Sequence, residues 1–183
     1  MSTVPEKSVL DQRELDNSRM PYQLPFPPDA AEEILVGGAI PEDERVWVPQ
    51  AEGLHFRPLL LHASQGYWCN LLRVRRTGIV SRHRHPMPVF GYVLRGTWHY
   101  LEHDWVANAG DWLYEPPGET HTLVVPEGCD EMITLFTVNA AMVYVDPWGK
   151  TTGFEDVFTK IEMCRRHYAE CGLGADYVDQ FVR

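Results

Sequence analysis

The chain of 183 residues is short of several things. Its 4 cysteines form no C-x-x-C pair, so neither a zinc ribbon nor a dithiol redox motif is present. No apolar run approaches the roughly 20 residues that span a bilayer, and no membrane association is expected. No repeat at a period of roughly 20–50 residues and no low-complexity tract is visible, which argues against a solenoid or a propeller. Positive charge is also scarce: 16 Lys and Arg stand against 26 Asp and Glu, a net charge of −10 with neutral histidine. Nucleic acid and anionic membrane are therefore unsuitable partners. Met1 to Arg13 holds no apolar stretch of the kind a secretory signal needs, so a cytoplasmic location and reduced thiols are expected.

What is present is an ordinary globular composition, with 44% hydrophobic residues, and an unusual supply of 14 Pro, 14 Gly, 6 Trp and 8 His. Prolines 21, 25, 27 and 28 forbid regular helix near them, and residues 1–44 read as an N-terminal arm. Over 45–150, short runs rich in Val, Trp, Tyr and Leu alternate with turn residues roughly every 8–12 positions, the spacing of an all-β sandwich or barrel. Eleven strands are expected, from Val46–Pro49 to Met142–Val145, with turns at Arg95-Gly96 and Asn108-Ala109-Gly110. After Gly153 the period becomes helical through Val157, Ile161, Cys164 and Tyr168. Thr152-x-x-Glu155 reads as a capping box and Gly172 as the residue that ends the helix. Residues 151–183 are thus expected to be a helical segment packed on the β-structure.

The chemistry lies in the histidines. His83 and His85 sit two apart on a predicted strand, so both rings face the same side. That spacing lets two imidazoles reach one ion about 2 Å from each nitrogen. Gly110 to His121 reads as a strand, a rigid Pro116-Pro-Gly118 turn and a third histidine entering a further strand, which can deliver a ring to an ion held elsewhere. His55, His62 and His167 have no such context.

Together these segments resemble the two motifs of the cupin superfamily. Gly78, His83, His85 and Gly96 match the first motif, with one residue fewer after the first glycine. Gly110, Pro116, Gly118 and His121 match the second. The resemblance implies an all-β, jelly-roll-like barrel with a metal held by His83, His85 and His121. Two positions depart from the pattern: the carboxylate ligand falls at Val89 and the terminal Asn at Val125. Glu102 and Glu115 are near enough in sequence to replace the carboxylate; otherwise three neutral histidines leave the ion open positions for substrate and O2. Imidazole ligands suit Fe, Zn, Cu or Ni and do not choose among them.

The likeness extends further. Arg82-His-Arg-His-Pro, Tyr100-Leu-Glu-His-Asp-Trp, Tyr114-Glu-Pro-Pro-Gly-Glu-Thr-His and the tail Gly172-Leu-Gly-Ala-Asp-Tyr-Val-Asp are similar to 2,4′-dihydroxyacetophenone dioxygenases, which have relatives in the cupin domains of anti-sigma factors. This implies Fe(II) as cofactor, with Zn, Mn or Ni possible as purified, and a small aromatic ketone and O2 as reactants. The bond between carbonyl and hydroxymethyl carbons would be cleaved to 4-hydroxybenzoate and formate. Other hydroxyketones, β-diketones and a non-catalytic metal sensor remain alternatives. Glu102, with His99 and His103 behind it, is the candidate base. Met87, Val89, Trp98, Tyr100, Trp112 and Tyr114 are the candidate walls of the substrate pocket. A homo-oligomer, dimer or tetramer, is expected.

Overall fold

The computed structural model describes residues 19–183, in two units that divide after Glu32. The first 18 residues of the expected arm lie outside the described residues. Residues 19–32 form no strand or helix; a turn closes with the Ala30 amide donating to the Pro27 carbonyl at 3.0 Å.

Glu33–Arg183 carries twelve strands among the described residues. They are β1 (Val48–Ala51), β2 (Leu54–His62), β3 (Tyr67–Val74), β4 (Gly78–Arg84), β5 (Val89–Arg95), β6 (Thr97–Tyr100), β7 (Ala107–Asn108), β8 (Trp112–Glu115), β9 (Thr120–Val125), β10 (Met132–Asn139), β11 (Ala141–Val145) and β12 (Thr151–Asp156). Two antiparallel six-stranded sheets result, ordered β1-β2-β3-β10-β5-β8 and β12-β11-β4-β9-β6-β7. The neighbours are mostly distant in sequence, so the fold rests on long-range pairing.

Alternation explains the sheets. Along β10, Met132, Thr134, Phe136 and Val138 turn inward and are buried. With Phe56, Trp68, Val93, Trp98 and Leu123, residues of both sheets share one core. Each such side chain contributes roughly 1.5–3 kcal/mol by burial. The indole Nε1 of Trp98 on β6 donates to Thr134 Oγ1 on β10 at 3.0 Å, satisfying both groups across the interior. Pro58 lies within β2, which is not an edge strand; the register shifts between Pro58 and Leu60, so the missing amide falls at a bulge. Gly96 turns β5 into β6 at φ +73°, where a side chain would strike the Glu131 carbonyl.

One α-helix is described, α1 (Val157–Glu170), followed by a 3-10 segment, Ala175–Phe181. The expected helix start needs correction. Thr151–Asp156 is β12, paired with β11, and the capping box is formed by Asp156 and Thr159 rather than by Thr152 and Glu155. Asp156 Oδ1 accepts from the Thr159 amide at 2.8 Å, and Thr159 Oγ1 accepts from the Asp156 amide at 2.8 Å. Gly172, at φ +82°, follows the C-cap Cys171. Tyr168 donates to the Val46 carbonyl at 3.2 Å and ties α1 to the chain before β1. All four cysteines are free thiols. No described helix is long and apolar enough to cross a membrane.

Candidate metal centre

Strand pairing brings the three predicted histidines together. His83 on β4 is the direct cross-strand neighbour of His121 on β9. His85 lies just past β4, where the Pro-Gly turn clamps it: the Gly118 amide donates to the His85 carbonyl at 2.7 Å. The conformational freedom of Gly118, at φ +88°, permits that approach.

All three rings are buried and converge through their Nε2 atoms. His85 Nε2 lies 3.0 Å from His121 Nε2, which lies 3.2 Å from His83 Nε2. A fourth donor joins them: Glu115 Oε2 stands 2.9 Å from His85 Nε2 and 3.5 Å from His121 Nε2. With metal–nitrogen distances of about 2.1 Å, neighbouring corners of an octahedron lie about 3.0 Å apart, and those of a tetrahedron about 3.4 Å. The cluster spacing fits shared coordination of one ion. Without a cation or proton between them, lone pairs crowded this closely repel. The His/Glu cluster can coordinate a transition metal, and its donor set fits one.

Electrostatics favour the ligand forms. Burial, then the neighbouring His121 and His85, pushes His83 well below the ordinary imidazole pKa. Burial lowers His121 to about 4, against the opposing pull of Glu115. Both rings are neutral at pH 7, as metal ligation requires. His83 Nδ1 lies 2.9 Å from Ser81 Oγ, which holds that ring with Nε2 inward. Tyr100 stacks on His121 with ring centroids 3.7 Å apart and donates its hydroxyl to Glu115 Oε1 at 2.6 Å. Burial, followed by the Glu115 charge, raises the Tyr100 pKa far above the ordinary phenol value, so the donor stays protonated.

Val89 and Glu115 are cross-strand partners on β5 and β8. A carboxylate on the neighbouring strand therefore stands 2.9 Å from His85 Nε2, and the inward place at 89 is apolar. Glu115 is the nearer of the two replacements weighed from the sequence; Ser81 and the orienting role of Tyr100 carried no sequence signal beyond inward parity.

Beside the cluster lies a cavity of about 430 Å³, lined by His83, His85 and Glu115 together with apolar side chains such as Leu54, Trp68, Leu123 and Phe136. Of the predicted pocket walls, Val89 and Tyr100 line it. The other four do not. Trp98 is fully buried in the core, while Met87, Trp112 and Tyr114 are 48%, 64% and 51% exposed. The reason is parity: Glu115 ends β8 pointing inward, so Tyr114 points out, and the pleat is set by cross-strand register. Trp112 and Tyr114 instead pack on Phe90 on the outer surface. Glu102 is also outside the cavity lining. Its carboxylate accepts from the Thr122 amide at 2.7 Å and from Thr122 Oγ1 at 2.8 Å, so it pins β9 just past the end of β6. His103 is occupied by Glu119 at 2.6 Å.

The fold and the site define a cupin-like protein with a buried His/Glu cluster that can coordinate a metal. The chain belongs to the ChrR Cupin-like domain family, whose model matches residues 38–143. Among solved structures it is similar to an RmlC-like cupin protein from Ralstonia eutropha JMP134, at 26% identity and TM-score 0.62, over 69% of this chain and 82% of that one. It is also similar to an acetylacetone dioxygenase from Acinetobacter johnsonii, at 18% identity and TM-score 0.64, over 79% of this chain and 97% of the other. A putative acetylacetone dioxygenase from Methylibium petroleiphilum PM1 follows at 14% identity and TM-score 0.62, over 75% and 97%. At these identities the two dioxygenase likenesses show the fold alone. No curated protein matches the chain.

Proposed function

We propose that the protein is a metal-dependent dioxygenase that cleaves a carbon–carbon bond in a small hydroxyketone or β-diketone. The carrying observation is the cavity of about 430 Å³ that meets the His/Glu cluster on one side and apolar walls on the other. That volume lies in the range of small-molecule sites. A metal held for structure alone has no need of such a space. The fold likeness to acetylacetone dioxygenase supports the diketone form, and the motif resemblance supports an aromatic α-hydroxyketone such as 2,4′-dihydroxyacetophenone.

His83, His85, His121 and Glu115 would hold the ion, leaving two places in an octahedral sphere. Bound Fe(II) would supply Lewis acidity to a deprotonating ketone and a redox partner for O2. The residues do the remaining work. Tyr100 and Ser81 fix the donors, while Trp68 and Phe136 exclude water. Overall, R–CO–CH2OH and O2 give R–COOH and formic acid: the carbon–carbon bond breaks and each fragment ends with one more oxygen.

Protein loaded with Fe(II) is expected to consume O2 stoichiometrically with at least one of 2,4′-dihydroxyacetophenone, a related hydroxyketone or acetylacetone, releasing a carboxylic acid. Folded, iron-bound protein that takes up no O2 with any of them would overturn the reading and favour a non-catalytic metal-binding cupin, in keeping with the ChrR-like family.

A further inference from the structure

The same cavity has a second polar group of lining residues that the metal cluster does not use: Gln50 on β1, Tyr144 on β11, Glu155 on β12 and Lys160 on α1. They form a closed network. Gln50 Nε2 donates to Tyr144 Oη at 3.0 Å and to Glu155 Oε1 at 2.7 Å. Lys160 Nζ donates to Gln50 Oε1 at 3.3 Å and lies 2.7 Å from Glu155 Oε2. The ammonium also sits 4.1 Å from the centroid of the Phe56 ring. Lys160 is only 3% exposed and Glu155 8%. A buried ion pair of this kind adds little stability over apolar residues of equal volume. Its presence at a cavity wall therefore calls for another reason.

Tyr144 connects the network to the metal cluster. It is the cross-strand partner of His83, and the two ring centroids are 6.4 Å apart. As a phenol it presents a neutral hydroxyl at pH 7. Lys160, the cation of this network, is already engaged by Glu155 and Gln50. A ligand carboxylate arriving at Tyr144 would place a further negative charge beside Glu155, while Arg82, which also lines the cavity, directs its Nε to Thr122 Oγ1 at 3.0 Å. A ligand hydroxyl, which both donates and accepts, meets the Tyr144 phenol without a net charge being buried.

We propose that Gln50, Tyr144, Glu155 and Lys160 form a specificity-determining station that accepts a neutral hydroxyl on the substrate and rejects a carboxylate there. This rests on reading the cavity as the substrate site. Tyr144 is the contacting group; Gln50, Glu155 and Lys160 are positioning residues that fix its orientation and hold the local charge at zero.

The test is calorimetric titration, under nitrogen, of full-length Fe(II)-loaded protein with acetophenone, 4-hydroxyacetophenone and 4-acetylbenzoate. The hydroxylated ketone should bind about tenfold or more tighter than the carboxylated one, the scale of a hydrogen bond set against an unpaired charge. Glu155→Gln frees the Lys160 charge and should move that ratio about tenfold towards 4-acetylbenzoate. Tyr144→Phe should erase most of the preference for hydroxyl over hydrogen. A purely structural network would instead weaken all three ligands alike, with a lower Tm. Unchanged ratios in folded variants, or equal wild-type binding of hydroxyl and carboxylate, would overturn the proposal. Should Glu155→Gln fail to fold, the wild-type series and Tyr144→Phe still decide it. A preserved ligand preference without O2 uptake would sink the oxygenase reading and leave this one standing. O2 uptake without the preference would do the reverse.

Discussion

At the scale of single residues, two carboxylates within thirteen positions of each other have opposite surroundings. Glu115 is buried, shares the histidine Nε2 cluster and is held by Tyr100. Glu102 bonds to Thr122 and is not among the residues that line the cavity. Glu115→Gln should therefore weaken metal binding by about 10–100-fold, whereas Glu102→Gln should leave it within about twofold, measured by competition with a chromogenic chelator. Equal effects would refute the assignment of Glu115. His121→Ala removes a donor at the centre of the cluster, 3.0 Å and 3.2 Å from its two partners. It should lower affinity by more than about 100-fold, because a ligand matters more than the groups that orient it. Metal content after gel filtration and an unchanged circular dichroism spectrum check both halves of that expectation.

At the scale of elements, the start of α1 is where local and long-range signals conflict. Asp156 caps the helix through the Thr159 amide, and Thr159 returns a bond to the Asp156 amide. Asp156→Ala should cost about 1 kcal/mol, seen as a lower urea midpoint with an unchanged slope. The sequence shows this helix but misplaces its beginning, because Thr152 and Glu155 mimic a capping box while 151–156 is recruited as a strand by β11. Such pairing is invisible to a local pattern. Where a strand has clear alternation and turn residues at both ends the reading is close: β3 runs Tyr67–Val74 as expected. His83, His85 and His121 are legible because their spacing along strands and a rigid turn is itself the signal. Glu115 and Glu102 are both candidates in the sequence, and only the register that sets Glu115 opposite Val89 separates them. Trp112 and Tyr114 are misread for the same reason, since inward and outward faces exchange with a shift of one residue. The Gln50, Tyr144, Glu155 and Lys160 network joins positions about a hundred apart and leaves no trace in any short window.

At the scale of the whole molecule, the cluster makes the stability of the metal-free protein depend on acid. His83 and His121 have folded-state pKa values below the ordinary imidazole value of 6.5, His121 at about 4. His55 is shifted the same way, by burial first and then by Arg73. Between the unfolded and the folded values the unfolded chain binds more protons, so stability rises with pH there. The contribution is complete above about pH 6.5 and is lost as the pH falls towards 4. The carboxylates of Glu44 and Glu131, held down by their arginine partners, contribute stability above their unfolded pKa near 4.5 and lose it only below that. The span from about pH 6.5 to 4.5 therefore belongs to the histidines. Thermal melts of metal-free protein should show Tm falling steadily across that span, and His121→Ala should flatten the slope. Bound metal stabilises by mass action and demands neutral rings, so loaded protein should begin with a higher Tm and lose the advantage as protons displace the ion. A Tm independent of pH between 6.5 and 4.5 in the metal-free wild type would contradict the burial of neutral imidazoles on which the candidate metal centre depends.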